Sequence, residues 1–482
     1  MKLKKYYILL KLFIALALVL LAAGCGGTGG SVGSGNADTG AITAKLNWSG
    51  DTSRHILSAP AGVVKVRIIV SGTGMTDIQK DFDAAVGQGT VANIPAGSSR
   101  TVTAQGLDAS GNVIAKGVIS NITIIAGQTT DAGTITIIPV LALADLITNG
   151  LDSLGKKDVT GAKAFFKEAV DNYPTVSTND GDTARFFYAF TRAVGVNLYG
   201  TGTTGALGSV GDILDRMGCD SAGRSLTNLA VVCPKTLPSN SPTGSELQSF
   251  LYTVIKTELE GALANLNAVS TSFSKSWKEP ISGKTYISDF GDVLVLKASI
   301  KGALAGILIQ YAYNLNANIA TEANASHTAQ VFLSNNTSFL TRASGYATYL
   351  SEAKTYLSQV ADDLTAAITK IEPSSRNTAA YLINVNAQAI TDAKINLPIW
   401  KASLASAQKY DNGKDGISGT ADDLIVNLSP FFAGINLRDL MPPITGNNAS
   451  GYFPDATMGG VIVQGSKMNE DKNGNGIPDI LD

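Results

Sequence analysis

A chain of 482 residues can hold two or three domains, each with its own apolar core. A formal charge of -2 and a charged fraction of 16% exclude the basic stripe that nucleic-acid binding needs. With only two histidines, His55 and His327, far apart in sequence and in polar loops, a Ser-His-Asp triad or a His-rich metal site has almost nothing to use.

Lys2, Lys4, Lys5 and Lys11 precede an apolar run from Leu12 to Leu21, and Ala22-Ala23-Gly24-Cys25 follows. That order predicts an export signal with a cleavage site, in a run too short to span a bilayer as a helix. It resembles a bacterial lipoprotein signal, with Ala22 where such boxes usually carry leucine. The resemblance implies a signal peptide over residues 1–24, an acylated Cys25 as the first mature residue and a membrane partner through the lipid. The alternative is a secreted protein with a free Cys25. Gly26 after the cysteine implies, by likeness to enteric lipoproteins, the outer membrane. Residues 25–40 are rich in Gly, Ser and Thr and predict a flexible tether.

Residues 41–139 predict about seven short strands. Ala41 to Trp48, Val63 to Val70, Thr90 to Ile94, Arg100 to Gln105, Val113 to Val118, Ile122 to Ile125 and Thr134 to Ile138 are β-branched or alternate in polarity. Asp108-Ala109-Ser110-Gly111-Asn112 is a hairpin signal. The expected fold is a β-sandwich. The stretch from Ile94 to Ile137 resembles transthyretin-like or immunoglobulin-like modules, which implies a spacer or binding role.

Residues 140–408 turn to helical period. Ala144–Gly155 and Gly161–Asp171 predict a helix pair. Gly150, Ala162, Phe166, Ala169 and Pro174, with Ala184 one 34-residue period after Gly150, resemble a tetratricopeptide repeat. An ordinary α-hairpin explains the same residues. Cys219 and Cys233 pair as a disulfide if the compartment is oxidising, closing a loop of about 15 residues worth about 3 kcal/mol; otherwise they are two buried thiols. Glu246–Val269, Val293–Leu315 and Ala343–Ile371 repeat apolar residues at three and four. Gly302 and Gly306 mark a face where another backbone is expected to approach, and Glu352, Asp362 and Asp363 a solvated one. Lys297, Lys301 and the following Gln and Asn residues speak against a membrane span. The tetratricopeptide resemblance implies an all-α array that holds a partner along a groove.

Residues 409–482 predict an irregular cover with two calcium loops. Asp471, Asn473, Asn475, Asp479 and Asp482 stand at loop positions 1, 3, 5, 9 and 12, with Gly476 at the turn and the Ile477 carbonyl at 7. A hard cation needs such alternating oxygens, and the spacing resembles the EF-hand, dockerin and thrombospondin type 3 loops; the alternative is a polar tail. A second set is Asp411, Asp415, Ile417 and Asp422, against a plain Asp/Gly turn. Asp422 and Asp423 as an acid–base pair lack a partner or pocket.

Together these readings predict a multidomain chain: a β-sandwich, then an all-α tetratricopeptide-like array, then an irregular C-terminal cover. The expected function is non-enzymatic binding or scaffolding of a protein, peptide or envelope polymer, with calcium as the cofactor and no catalytic residue. The alternatives are an accessory role in solute uptake and an envelope glycan hydrolase. The latter needs two carboxylates about 5–10 Å apart, which no sequence pair supplies.

Overall fold

A computed structural model describes residues 39–48, 59, 62–195, 207–220, 232–279, 282–325, 329–372, 376, 380–412, 417–420, 423–441, 444–445, 448–449, 455 and 457–465. They fall into two compact units that divide between Tyr188 and Ala189.

The first unit is built on a seven-stranded sheet: β1 (Thr39–Trp48), β2 (Lys65–Ser71), β3 (Ile78–Asp83), β4 (Gln88–Pro95), β5 (Gly97–Leu107), β6 (Val113–Ile124) and β7 (Thr129–Pro139). Its order is β3-β2-β5-β6-β7-β1-β4. All neighbours run antiparallel except β1 and β7. Alternation along the strands other than β3 sends one set of side chains inward. Ile42, Ala44, Leu46 and Trp48 of β1 meet Val66, Ile68 and Val70 of β2 and Ile135 and Ile137 of β7 in one core. Full burial of each such aliphatic side chain is worth about 1.5–3 kcal/mol.

This sheet corrects the expected sandwich. Strand β7 pairs with β1 from Thr129 to Ile137, then with β6 at Ile138 and Pro139, so one strand serves both sides. The two edges, β3 and β4, are joined by residues 84–87 and nearly close the sheet. Lys80 Nζ donates across that seam to the Thr90 carbonyl at 3.2 Å. Gly89 lies so close to Ile68 and the Phe82 ring that a Cβ would sit 2.8–2.9 Å from them. A sandwich and a curled sheet share the same in–out alternation, so alternation alone does not separate them. Strand β3 escapes the pattern because most of its side chains are exposed. At one end the buried Arg100 guanidinium donates to the carbonyls of Thr73, Pro95 and Ala96 at 2.8, 3.1 and 3.1 Å, tying two turns together.

Helices α1 (Leu143–Gly155), α2 (Val159–Asn172) and α3 (Asn179–Val194) follow. Gly150 takes the Phe166 ring against its Cα, and a Cβ there would come within 2.6 Å. Leu146, Ile147, Ala169 and Ala184 form the shared core. The spacing that resembled a tetratricopeptide repeat therefore encodes one close helix crossing. It is not continued as an array: the next described helix, α4 (Val210–Arg216), has seven residues.

The second unit mixes helix and strand, which corrects the all-α expectation. It contains α5 (Gly244–Phe250), a π-turn (Leu251–Ile255), α6 (Lys256–Asn267), a hairpin of β8 (Ser274–Lys278) and β9 (Thr285–Asp289), and α7 (Phe290–Tyr311). Then come α8 (Ile319–Asn324), α9 (Ala329–Asn335), α10 (Tyr346–Ile371) and α11 (Ala387–Ser403). The C-terminal segment is not wholly irregular, since β10 (Gln408–Asp411), β11 (Leu424–Val426) and β14 (Ile462–Gln464) form a sheet. Phe431 and Phe432 of α12 (Ser429–Phe432) pack on Ala312, Tyr313 and Leu350. β12 (Ile444–Thr445) and β13 (Asn448–Ala449) make a separate pair. No described helix is long and apolar enough to cross a membrane.

Helices α7 and α10, of 22 and 26 residues, lie against each other through small side chains, with Ala305 and Ala353 both fully buried. The expected close approach at Gly302 and Gly306 does not occur: a Cβ on either would meet nothing within 4 Å. Asp363, expected on a solvated face, is turned inward, while Asp362 on the exposed side pairs with Lys401. Lys301 Nζ lies 2.7 Å from Asp363 Oδ2, too oblique for a hydrogen bond, with both side chains about nine-tenths buried. Removing one partner of such a pair strands the other charge. Lys301→Met or Asp363→Leu alone is expected to cost about 3–5 kcal/mol, and the double variant to recover most of that loss. Urea unfolding of the three variants measures it; additive losses would remove the pair as the cause.

Candidate functional site

Three side-chain oxygens from the chain between β10 and β11 gather around the ammonium of Lys409 on β10. Lys409 belongs to the β10–β11–β14 sheet, and Asn412, Ser418 and Asp423 lie between β10 and β11 in sequence. Lys409 pairs with Ile425 across β10 and β11, and the register slips before Asp411. Lys409 Nζ donates to Asn412 Oδ1 at 2.8 Å and to Ser418 Oγ. Asp423, just before β11, puts Oδ2 3.8 Å from the same ammonium and accepts from the Gly419 N–H at 2.8 Å. Asp423 is 2% exposed, and its Oδ1 is buried without a hydrogen-bond partner. Gln464 Nε2 on β14 donates to the Thr420 carbonyl at 2.7 Å and fixes the connection from the third strand.

The second calcium set expected from sequence is only partly in view. Asp411 ends β10 and is exposed, and the exposed Ile417 accepts at its carbonyl from Thr420 Oγ1 at 2.9 Å. Asp415 and Asp422 lie outside the described residues. The residues that converge are Lys409, Asn412, Ser418 and Asp423, which loop spacing did not select. The available signal was a basic residue two positions before an Asp/Asn/Gly run. The first set, Asp471, Asn473, Asn475, Ile477, Asp479 and Asp482, lies outside the described residues, as do Cys25, the signal segment, His55 and His327. Cys219 and Cys233 are joined, with sulfurs 2.06 Å apart and Cα atoms 4.0 Å apart. No group of three or more His, Cys, Asp or Glu side chains suited to a metal occurs among the described residues.

A second charged cluster sits at the start of α7. Asp289 caps the helix by accepting from the Gly291 N–H at 2.7 Å, and Asp292 accepts from the Asp289 N–H at 2.8 Å. The buried Arg376 guanidinium bonds Asp289, lies 3.4 Å from Asp292 Oδ2 and donates to the Ile383 carbonyl at 2.9 Å. The Tyr381 ring covers it at 4.6 Å. Burial pushes the Asp292 carboxyl up to about 6, against the pull of Arg376 and the Asp289 N–H. A raised carboxyl in a cleft marks a functional candidate. Here every neighbour caps the helix or pins residues 380–383 beside β9, where Ile287 bridges to Tyr381, so the cluster is a structural clamp.

No family model matches the chain, and no curated protein matches it. Among solved structures, a 9R-lipoxygenase from Cyanothece PCC8801 is similar at 11% identity over 87% of this chain and 76% of that one, with a TM-score of 0.13. A score that low carries no argument about fold or chemistry. The composite resemblance drawn from sequence, an envelope lipoprotein with immunoglobulin- or transthyretin-like, tetratricopeptide-like and dockerin-like parts, is corrected in its architecture, where a sandwich and an all-α array were expected. The nearly closed seven-stranded sheet and the mixed second unit replace these.

The clamp sets a pH dependence with a definite sign. Asp292 titrates near 3.8 in the unfolded chain and near 6 in the folded one. Between those values the folded state keeps a proton that the unfolded state has lost. Stability contributed by this group is therefore full below about 4, falls as pH rises to about 6, and is level above, a change on the order of 3 kcal/mol. Denaturant midpoints at pH 4, 5, 6 and 7 should show this fall in the parent, and Asp292→Asn should flatten it.

Proposed function

We propose that this protein is exported, held at the outer membrane through an acylated Cys25, and acts there as a non-enzymatic binding or scaffolding module. The Cys219–Cys233 disulfide carries this reading. Disulfides persist in oxidising compartments and are rare in the cytosol. The bond thus agrees with the independent export pattern of residues 1–25: two features far apart in sequence call for the same compartment. The partner is a protein, a peptide or an envelope polymer. Calcium at Asp471, Asn473, Asn475, Ile477, Asp479 and Asp482 serves as a structural clip, since three charged ligands and two asparagines give modest affinity, on the order of 10⁻⁴ to 10⁻³ M.

Cys25→Ser is expected to block processing and release the protein from membranes, and membrane retention equal to the parent would overturn the anchor. Thiol titration of denatured, unreduced mature protein should find neither Cys219 nor Cys233 free. Under EGTA, limited proteolysis should add cuts only after about Tyr410, because ten-fold saturation contributes about 1.4 kcal/mol, too little to hold or release a whole unit. Asp471→Ala with Asp479→Ala should reproduce that pattern in calcium; identical digestion throughout would reduce the terminal loop to a polar tail.

A further inference from the structure

We propose that Lys409 is the resident cation of a second divalent-cation site, and that a hard dication such as calcium binds there by displacing its ammonium. The oxygens are Asn412 Oδ1 and Ser418 Oγ, which accept from Lys409 Nζ, and Asp423 Oδ2, 3.8 Å from it. Oxygens of amide, hydroxyl and carboxylate type suit calcium and magnesium, and a lysine ammonium brings only a single charge to them.

Asp423 shows that this charge is not enough. Its side chain is 3% exposed, and Oδ1 has no hydrogen-bond partner. Burying a carboxylate oxygen unpaired is costly. The Gly419 N–H satisfies only Oδ2, and the ammonium stands off at 3.8 Å. A dication at 2.3–2.6 Å can engage either or both oxygens of a carboxylate. Lys409 is 37% exposed, so its flexible stem can carry the ammonium to water when the dication enters. Two cations cannot share these oxygens at contact distance. Dication affinity is therefore lowered by the lysine, and loading the site frees the amine.

This site is separate from the terminal loop invoked in the proposed function. Its test is accordingly made in full-length mature protein carrying Asp471→Ala and Asp479→Ala, so that loss of the terminal site and loss of this one are read apart. Calcium calorimetry should show weak binding in that background. Lys409→Gln should tighten it about tenfold or more, since a repelling charge leaves the first shell. Asp423→Asn, which keeps an acceptor for the Gly419 N–H, should abolish it. Acylation of the Lys409 amine, followed by peptide mass spectrometry in the Asp423-containing background, should rise on adding millimolar calcium and stay constant with magnesium-free, calcium-free buffer. Equal affinity with and without the Lys409 charge, or no calcium bound by Lys409→Gln at millimolar concentration, would overturn the proposal. If Asp423→Asn fails to fold, the Lys409→Gln shift and the labelling change decide the question by themselves.

Discussion

Helix α7 is buried on more than one face, and the second unit is arranged to satisfy it. Val293, Ile300, Leu304 and Ile307 are buried, and so are Leu294, Ala298, Ala305 and Leu308 on other sides of the same turns. A helix apolar over so much of its surface has no stable place at a single interface. Helix α10 covers one side, with Ala353 against Ala305 and Leu308. The π-turn adds Tyr252, whose ring stacks on Tyr311 at 4.1 Å and meets the edge of Tyr349 at 5.7 Å. The C-terminal segment closes the end of the helix through Phe431, Phe432 and the Tyr313 hydroxyl, which donates to the Ile435 carbonyl at 2.9 Å.

Burying that much apolar surface brings charge in with it, and the unit handles the charge by pairing. Lys301 is about nine-tenths buried on α7, and Asp363 faces it from α10. At the start of the helix the capping carboxylates Asp289 and Asp292 meet Arg376, whose guanidinium also reaches a backbone carbonyl and an aromatic face. Desolvation offsets most of the Coulomb gain in such pairs; Lys301 and Asp363 join α7 to α10, and Arg376 joins the start of α7 to Ile383. The first unit uses the same logic with neutral acceptors: Arg100 is buried against three carbonyls.

Local patterns were legible where one residue's requirement is met by its near neighbours. The hairpin signal at Asp108 is a turn in which Asp108 Oδ1 accepts from the N–H groups of Ser110 and Asn112 at 2.8 Å each. The apolar period expected to run to Ile371 ends where α10 ends. The Gly150 and Phe166 spacing brings those two residues together. What failed was extension from such local matches to architecture. A glycine-aromatic crossing is common to any tight helix pair, and inward alternation is common to sandwiches and curled sheets. Of the second calcium set, Asp411 and Ile417 are described and Asp415 and Asp422 lie outside the described residues. Loop spacing counts oxygens along the chain, whereas Lys409 enters from the preceding strand and Asp423 from the residue before the next.

The sequence by itself determined the two cysteines available for pairing and the periods of the strands and long helices. Those properties depend on residue type and side-chain direction within about ten residues. Only the tertiary structure decided that seven strands make one nearly closed sheet, that Asp363 turns inward to Lys301, and that a lysine stands among the oxygens of Asn412, Ser418 and Asp423. The sheet closure and the Lys301–Asp363 pair join segments far apart along the chain, and the Lys409 contacts run between a strand and the residues after it; a pairwise contact of either kind leaves no period in the sequence.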